Sequence, residues 1–106
     1  MNIGIILESN NPETCWNAIR FANAALNKKH QVKIFLMGAG VEIENLSSAK
    51  YNINAILEDF IKNNGEILAC GTCLKSRNQA ESQTCPISTM SACVEMVEWA
   101  DKAITF

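Results

Sequence analysis

The stretch EILACGTCLKSR, residues 66–77, decides how this chain folds. Its first five residues are a short apolar run of strand length, and residues 70–77 read as a short helix that follows without a linker. A strand that passes straight into a helix is half of a crossover unit, in which parallel strands are joined by helices that cover the sheet. Immediately upstream, Asn63-Asn64-Gly65 ends a helix whose apolar positions Ile53, Ile56, Leu57, Phe60 and Ile61 share one face. Further back, QVKIFLM at residues 31–37 is a second apolar strand, cut off by Gly38-Ala39-Gly40, and residues 41–50 show no clear pattern. Residues 2–8, with Ile3, Ile5, Ile6 and Leu7, form the first strand and meet the polar turn Ser9-Asn10-Asn11. Pro12-Glu13 then opens a helix predicted over residues 12–29, with Trp16, Ile19, Ala22 or Asn23, and Leu26 at helical spacing and Lys28-Lys29 at its end.

Downstream of residue 77 a polar stretch reaches Gln83, and an edge strand is expected around residues 84–87, weakened by Pro86. Ser88 or Thr89 caps a last helix containing Met90, Cys93, Val94, Val97 and Ala100, and residues 103–106 are a final apolar piece. The order of elements predicts an α/β fold: a single three-layer α/β/α domain over residues 1–106, with a mostly parallel sheet of about five strands.

A chain of 106 residues supports one core, so any site is built within the chain or between copies of it. With 48% apolar and 19% charged residues, it is neither a disordered tail nor a fibrous repeat. Nine Lys and Arg against eleven Asp and Glu give a formal charge of −2, without a basic run longer than Lys28-Lys29, which argues against nucleic acid and anionic lipid as partners. The N-terminal residues lack a basic leader, and no apolar run approaches the roughly 20 residues of a membrane span, so a cytoplasmic location is expected. Five cysteines is an odd count for a disulfide scaffold. Their number invites a chemical explanation.

In open α/β sheets ligands bind beyond the carboxyl ends of the strands. Three loops lie there: Glu8, Ser9 and Asn10 after the first strand, Gly38, Gly40 and Val41 after the second, and Cys70, Gly71, Thr72 and Cys73 after the third. Cys70 ends a strand where a helix opens, next to unpaired backbone N–H groups, a setting that favours thiolate over thiol. The plainer alternative makes it a small buried hydrophobe. Arg77 follows about 10 Å along the helix, and its side chain leans back toward the same pocket unless it is simply a solvated charge.

Cys70 and Cys73 form a CxxC, a spacing shared with thioredoxin-like dithiols, although only Pro86 is available for the proline that such folds set opposite the pair. Dithiol redox or redox sensing therefore stays open as a second reading. A zinc site built on Cys70, Cys73 and Cys85 lacks a fourth ligand, because His30 begins a strand at the opposite edge of the sheet, and no metal is assigned. Cys15 opens the first helix near the site edge, and Cys93 sits on an apolar helical face. The Gly38-Ala39-Gly40 turn lacks the third glycine of a dinucleotide fingerprint, and GxxxxGK[ST] is absent, so no cofactor is expected. The apolar arc of Met90, Val94, Met96, Val97 and Trp99 is broader than one sheet face needs. It suggests a subunit contact, a non-catalytic interaction role being a third reading.

Residues 69–78, ACGTCLKSRN, resemble the segment of the DsrE/DsrF-like (TusD-type) sulfur relay family in which a strand-ending Cys is followed by a short helix and an Arg-Gly pair. Gly40-Val41 resembles that family's glycine-valine loop after the second strand, and EWADKAITF at residues 98–106 is similar to its final helix and strand. Asn78 stands where the family has glycine, a replacement that tolerates left-handed backbone. The resemblance implies a persulfide carrier or sulfurtransferase in which Cys70 accepts a sulfane sulfur and passes it on, with Cys73 as a second thiol able to resolve the persulfide. It also implies sulfur-donor and sulfur-acceptor proteins or small sulfane compounds as partners, and a homo-oligomer, trimer or hexamer.

Overall fold

Strands β1 (Asn2–Leu7), β2 (Gln31–Leu36), β3 (Glu66–Cys70), β4 (Ile87–Ser88) and β5 (Lys102–Thr105) form one sheet in the spatial order β4-β3-β2-β1-β5, in a computed structural model that describes residues 1–106. Every pairing is parallel, so each strand is reached by a crossover. Helices α1 (Pro12–Asn27), α2 (Ile53–Lys62), α3 (Gly71–Ser76) and α4 (Met90–Trp99) make those crossovers, with a 3₁₀ segment, Gly38–Asn45, between β2 and α2. The expected α/β architecture is therefore present, with a sheet that is parallel throughout.

The strands are buried for the reason their composition suggests. Ile5 and Leu7 of β1 and Ile34, Phe35 and Leu36 of β2 are fully buried in a continuous cluster that also takes Ile19 and Ala22 of α1 and Leu57 and Phe60 of α2. Gly4 lies on the other face of β1, where a Cβ would come within 3.2 Å of the Ala100 Cβ and 3.4 Å of the Met96 methyl, so the missing side chain lets the chain at the end of α4 pack closely. Helices α1 and α2 lie side by side, with the Trp16 and Tyr51 rings 5.9 Å apart.

Local signals set the boundaries. Asn11 caps α1 by accepting from the Thr14 N–H at 3.0 Å, and Pro12 occupies the first turn. The helix stops at Asn27 rather than at residue 29, because Lys29 turns out of it with φ 71°. Thr89, one of two expected caps, accepts from the Ala92 N–H at 3.2 Å to start α4. The edge strand expected at residues 84–87 forms one residue past Pro86, at Ile87–Ser88, since Ser82 and Cys85 close a turn on each other before it. Four of the five cysteines (Cys15, Cys70, Cys85 and Cys93) belong to the buried cluster, and only Cys73 is half exposed.

Candidate functional site

Cys70 is at once the last residue of β3 and the N-cap of α3. In register it sits beside Ser88 of β4, as Ala69 does beside Ile87, so the short edge strand stands next to the strand-helix junction. Between them opens a cavity of about 550 Å³, within the usual range for small-ligand pockets. Its floor is Cys70, Gly71, Thr72 and Cys73, with Lys75 on the same side; the opposing wall is Ile87, Ser88, Thr89 and Met90. Gly71 keeps the two sides close: a Cβ there would come within 3.1 Å of both Ile87 Cγ1 and the Ser88 carbonyl.

Within this cavity the two thiols differ. Cys70 is only 4% exposed, whereas Cys73, one turn along α3, is partly open to solvent. The Gly38 N–H donates to Cys73 Sγ at 3.1 Å, from a backbone turn with φ 55° that glycine adopts without strain. That hydrogen bond draws the Cys73 thiol down. Burial, a hydrogen bond with Cys70 and the charge on Cys70 outweigh it and the nearby Arg77, leaving Cys73 above the ordinary thiol range. Cys93, on α4, is pushed up by burial first and then by the charge of Cys70.

Arg77 donates through Nε to Glu42 Oε2 at 2.8 Å and through Nη1 to the Cys73 carbonyl at 3.2 Å. Glu42 also accepts from Asn10 Nδ2 at 3.5 Å, and its carboxyl is held below the usual range by the hydrogen bond from Arg77 first and that from Asn10 second. The three loops named from the sequence thus meet, but only the third lines the cavity. Gly38 reaches it through Cys73, while Asn10 and Arg77 meet on Glu42 beside it. Glu8 donates its backbone N–H to the Phe106 carbonyl, and the Ser9 carbonyl accepts the Cys15 thiol at 3.1 Å. Gly40 packs against the Leu7 carbonyl, and buried Val41 gives its carbonyl to Gln79 Nε2 at 2.7 Å. These last four residues brace the loops and do not touch the cavity.

Lys75, Glu42 and the wall from Ile87 to Met90 were not named from the sequence as parts of a site. The available signal was the edge strand itself, because a strand placed beside the third brings its own carboxyl end to Cys70. Cys85 lies apart, against Ser82 and Glu44, and His30 Nδ1 is 2.8 Å from the Met1 amine; no three His, Cys, Asp or Glu side chains converge as a metal site would require.

The sequence matches the DsrE/DsrF-like family over residues 1–106. It is 34% identical over 101 residues to an uncharacterised protein of Methanopyrus kandleri, spanning 89% of this chain and 83% of that one. It is 30% identical over 100 residues to an uncharacterised protein of Methanocaldococcus jannaschii, spanning 89% and 88%. The fold superposes on the crystal structure of the ychN protein from E. coli with a TM-score of 0.85 at 24% identity, covering all of both chains. A conserved protein of unknown function from Bacteroides thetaiotaomicron gives a TM-score of 0.76 at 18% identity, over 99% of this chain and 94% of that one. With the family's pattern present from the first strand to the last, this chain belongs to the DsrE/DsrF-like family.

Proposed function

We propose that the protein is a sulfur carrier or sulfurtransferase that holds a sulfane sulfur as a persulfide on Cys70, with residues 1–106 acting as one DsrE/DsrF-like domain. The observation that carries this reading is the position of Cys70: a strand-ending thiol at the floor of a 550 Å³ cavity, beside a second thiol, in a family generally associated with sulfur relay. In the loading step the Cys70 thiolate attacks the outer sulfur of a donor R–S–SH, the donor S–S bond breaks, and RS⁻ leaves as Cys70–S–SH forms. Delivery repeats the exchange in the other direction, with an acceptor thiolate attacking the outer sulfur. Donors and acceptors are proteins or small sulfane compounds.

In this reading the copies assemble into a homo-oligomer through α4, where Met90, Val94 and Val97 are about half exposed and, with Ile87, leave an apolar face uncovered. Five unpaired cysteines fit the reducing conditions of the cytoplasm. The placement of Cys70 and Cys73, a CxxC pair, on the floor of one cavity favours dithiol redox as the second reading.

Mass spectrometry after incubation with a sulfane-sulfur donor separates the two: one added sulfur on the Cys70 peptide marks a carrier, and loss of two hydrogens joining Cys70 to Cys73 marks a dithiol. Cys70→Ser abolishes loading and leaves the circular dichroism spectrum unchanged. Loading that survives the substitution rejects the assignment.

A further inference from the structure

We propose that Lys75 selects the sulfur donor: the cavity takes a small persulfide whose leaving group carries a carboxylate, and Lys75 binds that carboxylate while the S–SH end reaches Cys70. This rests on Cys70 being the sulfur-bearing thiol. Lys75 lines the cavity one turn after Gly71 and Thr72 of the floor, on their face of α3. It is the only acidic or basic residue in the lining, so no carboxylate of the protein competes for it there. The two ion pairs of the molecule, Lys33 with Glu66 and Arg77 with Glu42, leave Lys75 out.

Arg77, the cation expected over the pocket, is engaged elsewhere, with Nε on Glu42 and Nη1 on the Cys73 carbonyl. Glu81 accepts the Ile87 N–H of the wall at 2.7 Å and stays outside the lining. An ammonium without a partner at the edge of a cavity draws in anions and disfavours cations. The hydroxyls of Thr72, Ser88 and Thr89 supply further donors around the same space.

The dimensions limit the donor. Cys70 is buried at the floor, and the two sides close together over Gly71, so the reacting sulfur arrives at the end of a thin chain. Lys75 follows Cys70 by five residues, about 7.5 Å along the helix axis, and its flexible stem leans back toward that end. The carboxylate and the S–SH of one donor therefore sit a few bonds apart. In the transfer, the Cys70 thiolate attacks the outer sulfur of ⁻O₂C–R–S–SH and the donor S–S bond breaks. The inner sulfur leaves with the electron pair as ⁻O₂C–R–S⁻, and the outer sulfur keeps its proton as Cys70–S–SH forms. Lys75 holds the leaving group and exchanges neither proton nor electron.

The test compares donors that share the reacting S–SH and differ in charge: the persulfides of 3-mercaptopropionate, 2-mercaptoethanol and cysteamine. Loading of Cys70 is timed by mass spectrometry in the wild type, Lys75→Arg, Lys75→Met and Lys75→Glu. The wild type prefers the anionic donor to the neutral one and the neutral one to the cationic. The anionic-to-neutral rate ratio falls roughly fivefold in Lys75→Met, as loss of one exposed ion pair implies, persists in Lys75→Arg, and gives way to a preference for the cationic donor in Lys75→Glu. Added salt shrinks the wild-type ratio. Equal rates for the three donors in the wild type, or a ratio that Lys75→Met leaves unchanged, overturn the proposal. Alkylation of Cys70 by iodoacetate against iodoacetamide repeats the comparison without a sulfur donor. A ratio there that is independent of Lys75 rejects the role of Lys75, whereas a Lys75-dependent ratio with no loading from any persulfide rejects the carrier reading instead.

Discussion

Arg77 Nε lies 2.8 Å from Glu42 Oε2, and this one ion pair fastens the C-terminal end of α3 to the 3₁₀ segment that follows β2. Because Asn10 also reaches Glu42, the pair gathers the loops after β1, β2 and β3 into one rim beside the thiols. Both side chains are about one-third exposed, so the pair acts more by fixing loop geometry than by adding stability.

The Glu42 carboxyl titrates below its ordinary value of 4.5 in the folded protein. A group with a lowered folded value contributes stability above its unfolded value and loses it as pH falls through the folded one. Thermal unfolding of the wild type therefore drops more steeply between about pH 5 and pH 3 than that of Glu42→Gln, with a difference of a few degrees at most. Parallel curves would show that the pair has no thermodynamic role.

Gly40 sits directly over the end of β1, where an added Cβ collides with the Leu7 carbonyl. Backbone meets backbone there, and neither side moves without shifting the rim. Gly40→Ala is expected to cost about 2 kcal/mol or more in urea unfolding. A cost under about 0.5 kcal/mol would mean that the loop relaxes freely.

Burial raises Cys15 to about 11, and burial with the neighbouring Glu44 raises Cys85 to about 12. Both thiols stay neutral and unreactive at pH 8, so limited labelling of the folded protein modifies the half-exposed Cys73 before Cys15 and Cys85, while all five cysteines react in denaturant. A raised folded value means that stability is complete below the unfolded value of 9.0 and declines as pH climbs toward 11 and 12. At full ionisation Cys15 then contributes about 3 kcal/mol and Cys85 about 4 kcal/mol to alkaline destabilisation, and Cys15→Ala flattens the loss of melting temperature above about pH 9. Early labelling of Cys85 at pH 8 contradicts this ordering.

Val94 is 55% exposed in the middle of the uncovered α4 face. A charge there leaves the monomer fold intact and disfavours any apolar contact between copies. Sedimentation should show an oligomeric wild type and a monomeric Val94→Asp with unchanged circular dichroism; a monomeric wild type removes the oligomer from the proposal.

The readability of each element in the sequence follows from where its information resides. The buried strands β1, β2 and β3 announce themselves in continuous apolar runs, and the amphipathic spacing of α1 and α2 in theirs, because local composition and final burial agree. Asn78 was expected to tolerate the left-handed backbone that glycine would adopt, and it does, with φ 49°. Residues 41–50 gave no pattern because the 3₁₀ segment is held by distant partners, such as Gln79 on the Val41 carbonyl and Ser82 on Glu44. The floor of the cavity was legible, since Cys70 to Cys73 are consecutive residues at a strand-helix junction. Its wall was not, because Ile87 to Met90 arrive there only by pairing with β3 across a polar loop. Arg77 points at Glu42, a partner 35 residues away that helical spacing cannot reveal.

The brevity of β4 makes the two halves of the cavity mechanically unequal. The floor is anchored in the interior of the sheet, but the wall hangs on two residues at its rim and on bonds such as that from the Ala69 N–H to the Pro86 carbonyl. Detaching those two residues disturbs few apolar contacts of the core, so this edge is less protected than β1, β2 and β3. In hydrogen exchange, the amides of Thr84, Cys85, Ile87 and Ser88 should lose protection well before those of β2.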